Sequence, residues 1–330
     1  MTYNLSTPTV PREYRNWQLS LYLKNALHEL PAFRQMAEAP LEAALENVLM
    51  QQLLKPFHHQ DDLWDKVDEE AIRQGFAEVE KLLSVQEAGQ AFRQIERTRQ
   101  QFAEEQPRQL DEVSISINTE KLVAANFELP RIAPVEKAFR HLQKQNTPEK
   151  AAELLLRSAL RYASLYSKTR HIGPPQVVYD HFYDWGVRNE GFASPFNARL
   201  LGKPEARFHS LFADTDACMG SGGSFFDLQE PTNPGHWCLD PPFLTATMDR
   251  VDAIIGQWRK AYPEKSLLYI IPQTHTPAIT PDETVLLMAG THYYEGLDHS
   301  LHPLPVNVAI HRYGEMPGFS GHLIKEGYRP

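Results

Sequence analysis

The segment Asp240-Pro241-Pro242-Phe243 contains the residues of this chain that are best suited to chemistry. It directly follows residues 237–239, an apolar run typical of a buried strand. Proline has no backbone N–H, so the turn presents two oxygen acceptors, the Asp240 carboxylate and the Pro241 carbonyl, without competing donors. Together with the ring of Phe243, these acceptors suit a planar amine that donates two hydrogen bonds.

The pattern Asp/Asn-Pro-Pro-aromatic is typical of enzymes that methylate an exocyclic amino nitrogen of adenine or cytosine. That nitrogen is conjugated with its ring and is a poor nucleophile, so catalysis depends on holding its two N–H groups in line with a methyl donor. We expect Asp240 and the Pro241 carbonyl to accept these N–H groups. Stacking of Phe243 on the base would contribute ~1–3 kcal/mol. We therefore predict Asp240, Pro241, Pro242 and Phe243 as catalytic residues; the structural alternative is a rigid strand-to-helix turn with a buried aromatic ring.

The elements that must position this turn follow from the distribution of glycine and of apolar residues. Only two of the 17 glycines, Gly75 and Gly89, precede position 150. Upstream, apolar residues recur at helical spacing, and only residues 113–117 alternate as a strand does. Downstream, short apolar runs alternate with helical spacing, which predicts a largely parallel sheet covered on both faces. We therefore predict a mostly helical domain over residues 1–168 and an α/β domain over residues 169–330.

Three further blocks, at residues 191–197, 208–216 and 220–227, end predicted strands or follow them. In open α/β sheets, ligands bind beyond the carboxyl ends of the strands. An acidic residue after the second strand suits a ribose diol, because one carboxylate accepts both hydroxyl protons, and both Asp214 and Asp216 are candidates. The glycines of the third block would let the backbone approach a ligand closely, although a flexible connection is the alternative.

These four blocks, in this order and at this spacing, resemble the family of the phosphorylated-CTD-interacting factor, the cap-specific adenosine N6-methyltransferase. The likeness covers roughly residues 175–312, and the helical region upstream is of a kind that this family also has. The resemblance implies a Rossmann-like methyltransferase domain that binds S-adenosylmethionine and methylates the N6 amino group of adenosine in RNA. The cofactor contacts are then expected from Ala193, Ser194, Pro195, Asn197, Asp214, Asp216, Gly220 and Ser221.

Three differences from the family pattern bear on the reaction and the partners. Asp240 stands where the well-known members have Asn, a substitution that other amino-methyltransferases tolerate, and Met219 replaces an aromatic residue. Trp17 and Trp64 are too far apart for a WW module, so we expect no binding of phosphorylated polymerase. Two other functions stay open: a DNA adenine N6-methyltransferase and a catalytically silent binding module of the same fold.

The formal net charge of −9 argues against a protein that coats nucleic acid through charge alone, so any nucleic-acid contact must be local. No acidic residue lies between Glu153 and Asp180, although basic residues occur there. This stretch is the best candidate for a phosphate-contacting strip, and a solvated helix end favoured by the helix dipole is the alternative. The predicted substrate-binding residues are Arg157, Arg161, Lys168 and Arg170.

Other features predict a protein of an intracellular compartment, with cytoplasm and nucleus not distinguished. The first residues lack the pattern of a secretory signal, and no apolar run is long enough to span a membrane. The two cysteines are too few to form a disulfide framework for a chain of this length. We expect no metal site. His292, Glu295, His299 and His302 are of types that suit zinc, but their spacing matches no helical zinc motif.

Overall fold

The computed structural model describes residues 2–5, 9–53, 63–105, 113–166, 171–304 and 306–330. By its internal contacts the chain divides into two units, one of Met1–Arg131 with Gln145–Arg170 and one of Ile132–Lys144 with His171–Pro330. The sequence-based division assigned residues 132–144 to the first domain, whereas these residues belong to the second unit.

Within the described ranges the chain forms both helices and strands, and its mixed α/β class is as predicted. The α-helices are α1 (Thr9–His28), α2 (Glu38–Leu53), α3 (Glu69–Ala77), α4 (Val85–Glu105), α5 (Ala133–Gln143), α6 (Pro148–Ala163), α7 (Gln176–Asp184), α8 (Ala213–Asp216), α9 (Thr245–Ala261) and α10 (Gly321–Gly327). The strands are β1 (Thr2–Leu5), β2 (Val113–Ile117), β3 (Lys121–Ala124), β4 (Phe127–Pro130), β5 (Val187–Glu190), β6 (Arg207–Phe208), β7 (His236–Leu239), β8 (Leu267–Pro272), β9 (Glu283–Leu287), β10 (Tyr293–Glu295), β11 (Leu301–Pro303) and β12 (Val308–Tyr313). None of the described helices combines the length and the apolar character needed to cross a lipid bilayer.

The first unit combines helices α1 to α4 and α6 with an antiparallel sheet in the order β1-β2-β3-β4. Its helical part follows from the apolar spacing: on α2, for example, Leu41, Leu45 and Val48 are all buried. The predicted strand at residues 113–117 is present as β2. The sequence did not predict β3 and β4, because each has four residues and is too short for a clear period of two.

The second unit contains a six-stranded sheet in the order β6-β5-β7-β8-β12-β9. Strands β6, β5, β7 and β8 are parallel, while β12 runs antiparallel to both β8 and β9. Because β9 is antiparallel to β12, it points the same way as β8, so among the six described strands of this sheet β12 alone runs against the others. The sheet is mixed but largely parallel, as predicted. Parallel neighbours need a crossover connection, usually a helix, and the described residues between β8 and β12 contain no helix.

Helices cover both faces of this sheet, as the sequence predicts. Helices α7 and α10 pack on one face, where Phe182 and Ile324 join a buried cluster with Ile270 of β8. Helix α9 packs on the opposite face through Val251 and Ile255. All six residues of β8 are buried, as expected for a central strand that is covered on both sides.

The strand order reverses at β5. The next strand in the chain, β6, lies on one side of β5, and the following strand, β7, lies on its other side. In open α/β sheets the ligand crevice lies at this reversal, beyond the carboxyl ends of the two strands that flank it. Strand β5 ends at Glu190 and β7 at Leu239. The residues that follow them, Gly191 and Asp240, therefore lie where a ligand is expected.

Candidate active site

The segment Asp240–Phe243 follows β7 and leads into α9. Pro241 is buried, while the other three residues are partly exposed. The N–H of Leu244 donates to the Pro242 carbonyl at 2.7 Å and closes the turn. The turn therefore stands at the end of the strand with part of its surface open to solvent.

The turn has two oxygen acceptors, the Asp240 carboxylate and the Pro241 carbonyl. Among the described residues, no donor is hydrogen-bonded to the Asp240 carboxylate or to the Pro241 carbonyl. Burial raises the pKa values of Tyr179, Tyr294 and Tyr328 well above the ordinary range, and the charge of Asp240 adds to the rise in each, so the carboxylate lies near other polar groups. Protein acceptors in such surroundings usually have partners, so this pair is suited to the donors of a ligand.

Two acidic groups with perturbed pKa values meet at this crevice. Burial raises the pKa of Asp240 to about 8, the charge of Glu190 adds to the rise, and Arg199 opposes it. Burial also raises the pKa of Glu190 to about 7, although its carboxylate accepts the N–H groups of Leu200 and Arg199 at 3.0 and 3.2 Å. Perturbed acids clustered in a crevice are a mark of functional sites.

Glu190 also lies at this edge of the sheet, and no sequence motif points to it. It ends β5 and holds the far end of the loop that follows that strand, through the N–H groups of Arg199 and Leu200. The only sequence signal is a glutamate directly before Gly191 at the end of a strand. Glutamate at a strand end is usually solvated, so this signal could not be separated from an ordinary surface residue.

The loop after β5 contains four of the predicted cofactor residues, Ala193, Ser194, Pro195 and Asn197. Ser194 is 4% exposed, and its backbone N–H and its Oγ donate to Asn197 Oδ1 at 2.6 and 3.0 Å. Pro195 is buried, whereas Ala193 and Asn197 are partly exposed. The N–H of Ala193 donates to the His209 carbonyl at 2.9 Å and fixes the loop beside the end of β6. In this structure Ser194 and Asn197 therefore bind each other and determine the shape of the loop.

The two aspartates that follow β6 have different surroundings. Both lie on the short helix α8, where Asp214 is exposed and Asp216 is fully buried. The Asp216 carboxylate accepts the Thr215 hydroxyl at 2.8 Å. Of the two candidates for a ribose diol, Asp214 is therefore the exposed one.

The glycine loop at 220–223 runs beside β6, where Ser221 forms a parallel bridge with Phe208. Gly220 has φ +94°, a left-handed conformation that favours glycine. A Cβ at Gly222 would lie 2.6 Å from the ring of His209, so this close approach requires glycine. The predicted residues Gly220 and Ser221 thus lie at the carboxyl edge of the sheet, Gly220 exposed and Ser221 partly exposed.

Helix α5 also contributes to this edge. A Cβ at Gly220 would be 3.9 Å from His141 Nε2, so the imidazole lies next to the glycine loop. Burial lowers the pKa of His141, and the nearby charge of Lys144 lowers it further. No sequence motif points to His141, because its helix lies in the part of the chain that is predicted to form the first domain.

The predicted phosphate-contacting strip is wrong at Arg161. This side chain is 1% exposed, and its guanidinium donates to the two carboxylate oxygens of Glu13 at 2.6 and 2.7 Å. Arg157, one turn earlier on α6, is partly buried. Lys168 and Arg170 lie outside the described residues. The prediction failed at Arg161 because its partner is 148 positions away in the sequence.

Among the described residues, the four side chains considered for zinc do not form a set of metal ligands. Glu295 accepts the N–H of Gln176 at 2.8 Å at the start of α7 and pairs with His299 and Arg199. His302 contacts the Ser300 hydroxyl at 2.8 Å. Glu295 therefore holds the start of α7.

Residues 137–292 match the family described as phosphorylated CTD interacting factor 1 WW domain. The match includes helices α6 and α7, all the parallel strands and the Asp240 turn. No curated protein matches the chain. The family resemblance that the four sequence blocks predict is confirmed.

Proposed function

Residues 137–292 belong to the phosphorylated CTD interacting factor 1 family, and we propose that this chain is a methyltransferase of the cap-specific adenosine type. Its reaction would transfer a methyl group from S-adenosylmethionine to the N6 amino group of adenosine in RNA. The observation that carries this proposal is the pair of oxygens at the proline turn, Asp240 and the Pro241 carbonyl, for which the described residues provide no donor.

The described residues suit S-adenosylmethionine, which when bound supplies an electrophilic methyl group. A ribose diol needs a carboxylate after the second parallel strand, and the exposed Asp214 meets this requirement. A ligand also needs close access to the backbone, which the glycine loop beside His209 provides. The reversal of winding at β5 supports a Rossmann-like assignment for this domain. The residues proposed to surround the cofactor are Ala193, Ser194, Pro195, Asn197, Asp214, Gly220 and Ser221. The predicted contact Asp216 is fully buried and is not proposed.

The turn itself would hold the adenine. Asp240 and the Pro241 carbonyl would accept the two N–H groups of the amine, which fixes the direction of its lone pair. Phe243 is partly buried and packs against the buried cluster that contains Phe182 and Ile270. Its ring would therefore be held in place to stack on the base. The prolines restrict the backbone, so the two acceptors are positioned before the substrate arrives.

We propose RNA rather than DNA as the substrate, because the family is that of the cap-specific enzyme and because an unpaired or terminal base needs little opening. A base inside a duplex would have to be flipped out at a cost of a few kcal/mol. No binding of phosphorylated polymerase is proposed. Nucleoside mass spectrometry after reaction with capped RNA, uncapped RNA or DNA separates these substrates.

A methyl-transfer assay with labelled S-adenosylmethionine tests the proposal. Removal of one hydrogen-bonding group that positions a reacting atom typically costs ~100- to 1000-fold in rate, so Asp240→Ala is expected to lose at least ~100-fold. Phe243→Ala is expected to lose about 10-fold through lost stacking. Asp184→Ala, an exposed aspartate at the end of α7, is the matched control and should keep the wild-type rate. Unchanged rates in both test variants would refute the assignment.

Calorimetry with S-adenosylhomocysteine distinguishes an enzyme from a silent module of the same fold. The proposed enzyme should bind this product with measurable heat. Absence of heat at high protein concentration would favour the silent module and contradict the proposal.

A further inference from the structure

A second group of polar side chains lies on the sheet face that is covered by α9. Asp249 and Asp252 of α9 and His275, which follows β8, have ligand atoms that all lie within 4.8 Å of one another. His275 Nε2 is 2.8 Å from Asp252 Oδ2, and both of these side chains are at most 10% exposed. Neither the sequence blocks nor the proposed methyl transfer accounts for this group.

His311 of β12 provides an independent observation. The residue is 7% exposed, and its Nδ1 lies 2.8 Å from the Thr284 hydroxyl. Its Nε2 is buried and has no hydrogen-bond partner among the described residues. A buried imidazole nitrogen without a partner is costly, so this nitrogen is available to bind a ligand.

The neighbours of His311 show where this residue lies. His311 is in register with Tyr269 of β8, and Tyr313 is two residues further along β12, so the three side chains share one face of the sheet. Both tyrosines lie within the electrostatic reach of Asp252. His311 itself lies within that of His275. His311 therefore lies near Asp252 and His275, but outside the set whose ligand atoms are within 4.8 Å of one another, so its ring would have to move toward them to bind the same ion.

We propose that Asp249, Asp252, His275 and His311 bind one divalent transition-metal ion, for which Zn²⁺ is the best fit. Zinc takes histidine nitrogen and carboxylate oxygen in a tetrahedron with bonds of ~2.1 Å, which puts neighbouring ligand atoms about 3.4 Å apart. The spacing of Asp249, Asp252 and His275 is compatible with this geometry after small side-chain adjustments. Magnesium and calcium prefer oxygen ligands alone, so two imidazoles disfavour them.

The surroundings also provide the second layer of contacts that such sites need. Metal-binding histidines usually make a hydrogen bond through the other ring nitrogen, and the Thr284 hydroxyl makes this contact to His311. The ion would join α9 to the segment after β8 and to β12, so zinc should stabilise this part of the fold.

Titration of the chelator-treated full chain with Zn²⁺ by calorimetry tests the proposal. The wild type is expected to bind one equivalent of Zn²⁺. Asp252→Asn, His275→Gln and His311→Gln should each weaken zinc binding by at least ~10-fold. His322→Gln is the matched control, because His322 is a 77% exposed histidine of α10, and it should bind as the wild type does. Circular dichroism of each metal-free variant verifies that it is folded.

Two results would overturn this site. One is the absence of stoichiometric zinc binding by the wild type, and the other is wild-type affinity in both Asp252→Asn and His275→Gln. The absorption spectrum of the Co²⁺-loaded wild type needs no variant: strong visible bands of a tetrahedral ion would support the site. The weak spectrum of an octahedral ion would contradict it.

Discussion

The backbone N–H of Gly191 donates a 2.8 Å hydrogen bond to the carbonyl of Cys238. This bond joins the end of β5 to the end of β7 at the point where the sheet reverses its winding. It brings the loop that begins at Gly191 beside the turn at Asp240–Phe243. Two segments that lie almost fifty residues apart in the sequence thus form one edge, because both follow neighbouring parallel strands.

The raised pKa of Asp240 predicts a pH-dependent rate. An acid with a pKa of about 8 is mostly protonated at neutral pH, and its neutral form is a weaker acceptor for the amine N–H. We therefore expect kcat/KM to rise as the pH rises through about 8 and then to level off. Asp240→Asn should retain activity, as the Asn of the resembled family suggests, but with a profile that lacks this rise. A profile for Asp240→Asn that is identical to that of the wild type would contradict this role.

The buried ion pair between Arg161 and Glu13 predicts a large loss of stability in Arg161→Ala. Removal of the arginine leaves a fully buried carboxylate, which typically costs ~3–5 kcal/mol of unfolding free energy. Arg12 also contacts Glu13, at 3.0 Å, but its side chain is 34% exposed, so Arg12→Ala should cost less than about 1 kcal/mol. Urea denaturation followed by circular dichroism compares the two variants. Equal midpoints would show that the buried pair adds nothing.

Two helical glycines of the first unit differ in how closely neighbouring atoms approach them, so their alanine variants should have opposite effects on stability. A Cβ at Gly75 on α3 would lie 2.5 Å from the backbone nitrogen of Val48 on α2, so Gly75→Ala should destabilise the unit by ~1–3 kcal/mol. Near Gly89 on α4 the closest atoms belong to flexible side-chain ends, so Gly89→Ala should stabilise by up to ~1 kcal/mol through helix propensity. Thermal melting of both variants gives the signs, and a neutral Gly75→Ala would contradict the close packing of α2 on α3.

Local patterns in the sequence were sufficient to predict the Asp240 turn and the strand before it. The two prolines and the apolar run at residues 237–239 determine that geometry within a few residues. The loop at 193–197 is similarly local, since Ser194 and Asn197 bind each other three positions apart. A segment that makes its own contacts can be predicted without knowledge of the remaining fold.

Features that depend on distant partners could not be predicted in this way. Arg161 looked like an exposed cation because Glu13 lies far away in the sequence. Strand β12 is a late strand that inserts between β8 and β9, an order that no local pattern encodes. The Glu190 carboxylate accepts the backbone N–H groups of Arg199 and Leu200, and these contacts form only when the loop after β5 folds back onto it. In each case the missing information was which segments become neighbours.

Mass spectrometry of nucleosides from capped RNA after incubation with S-adenosylmethionine tests the central proposal most directly. The proposed function predicts N6-methyladenosine with the wild type and with the Asp184→Ala control, and at least ~100-fold less of it with Asp240→Ala. Equal yields of N6-methyladenosine from the wild type and Asp240→Ala, or none from the wild type on any nucleic acid, would contradict the proposal.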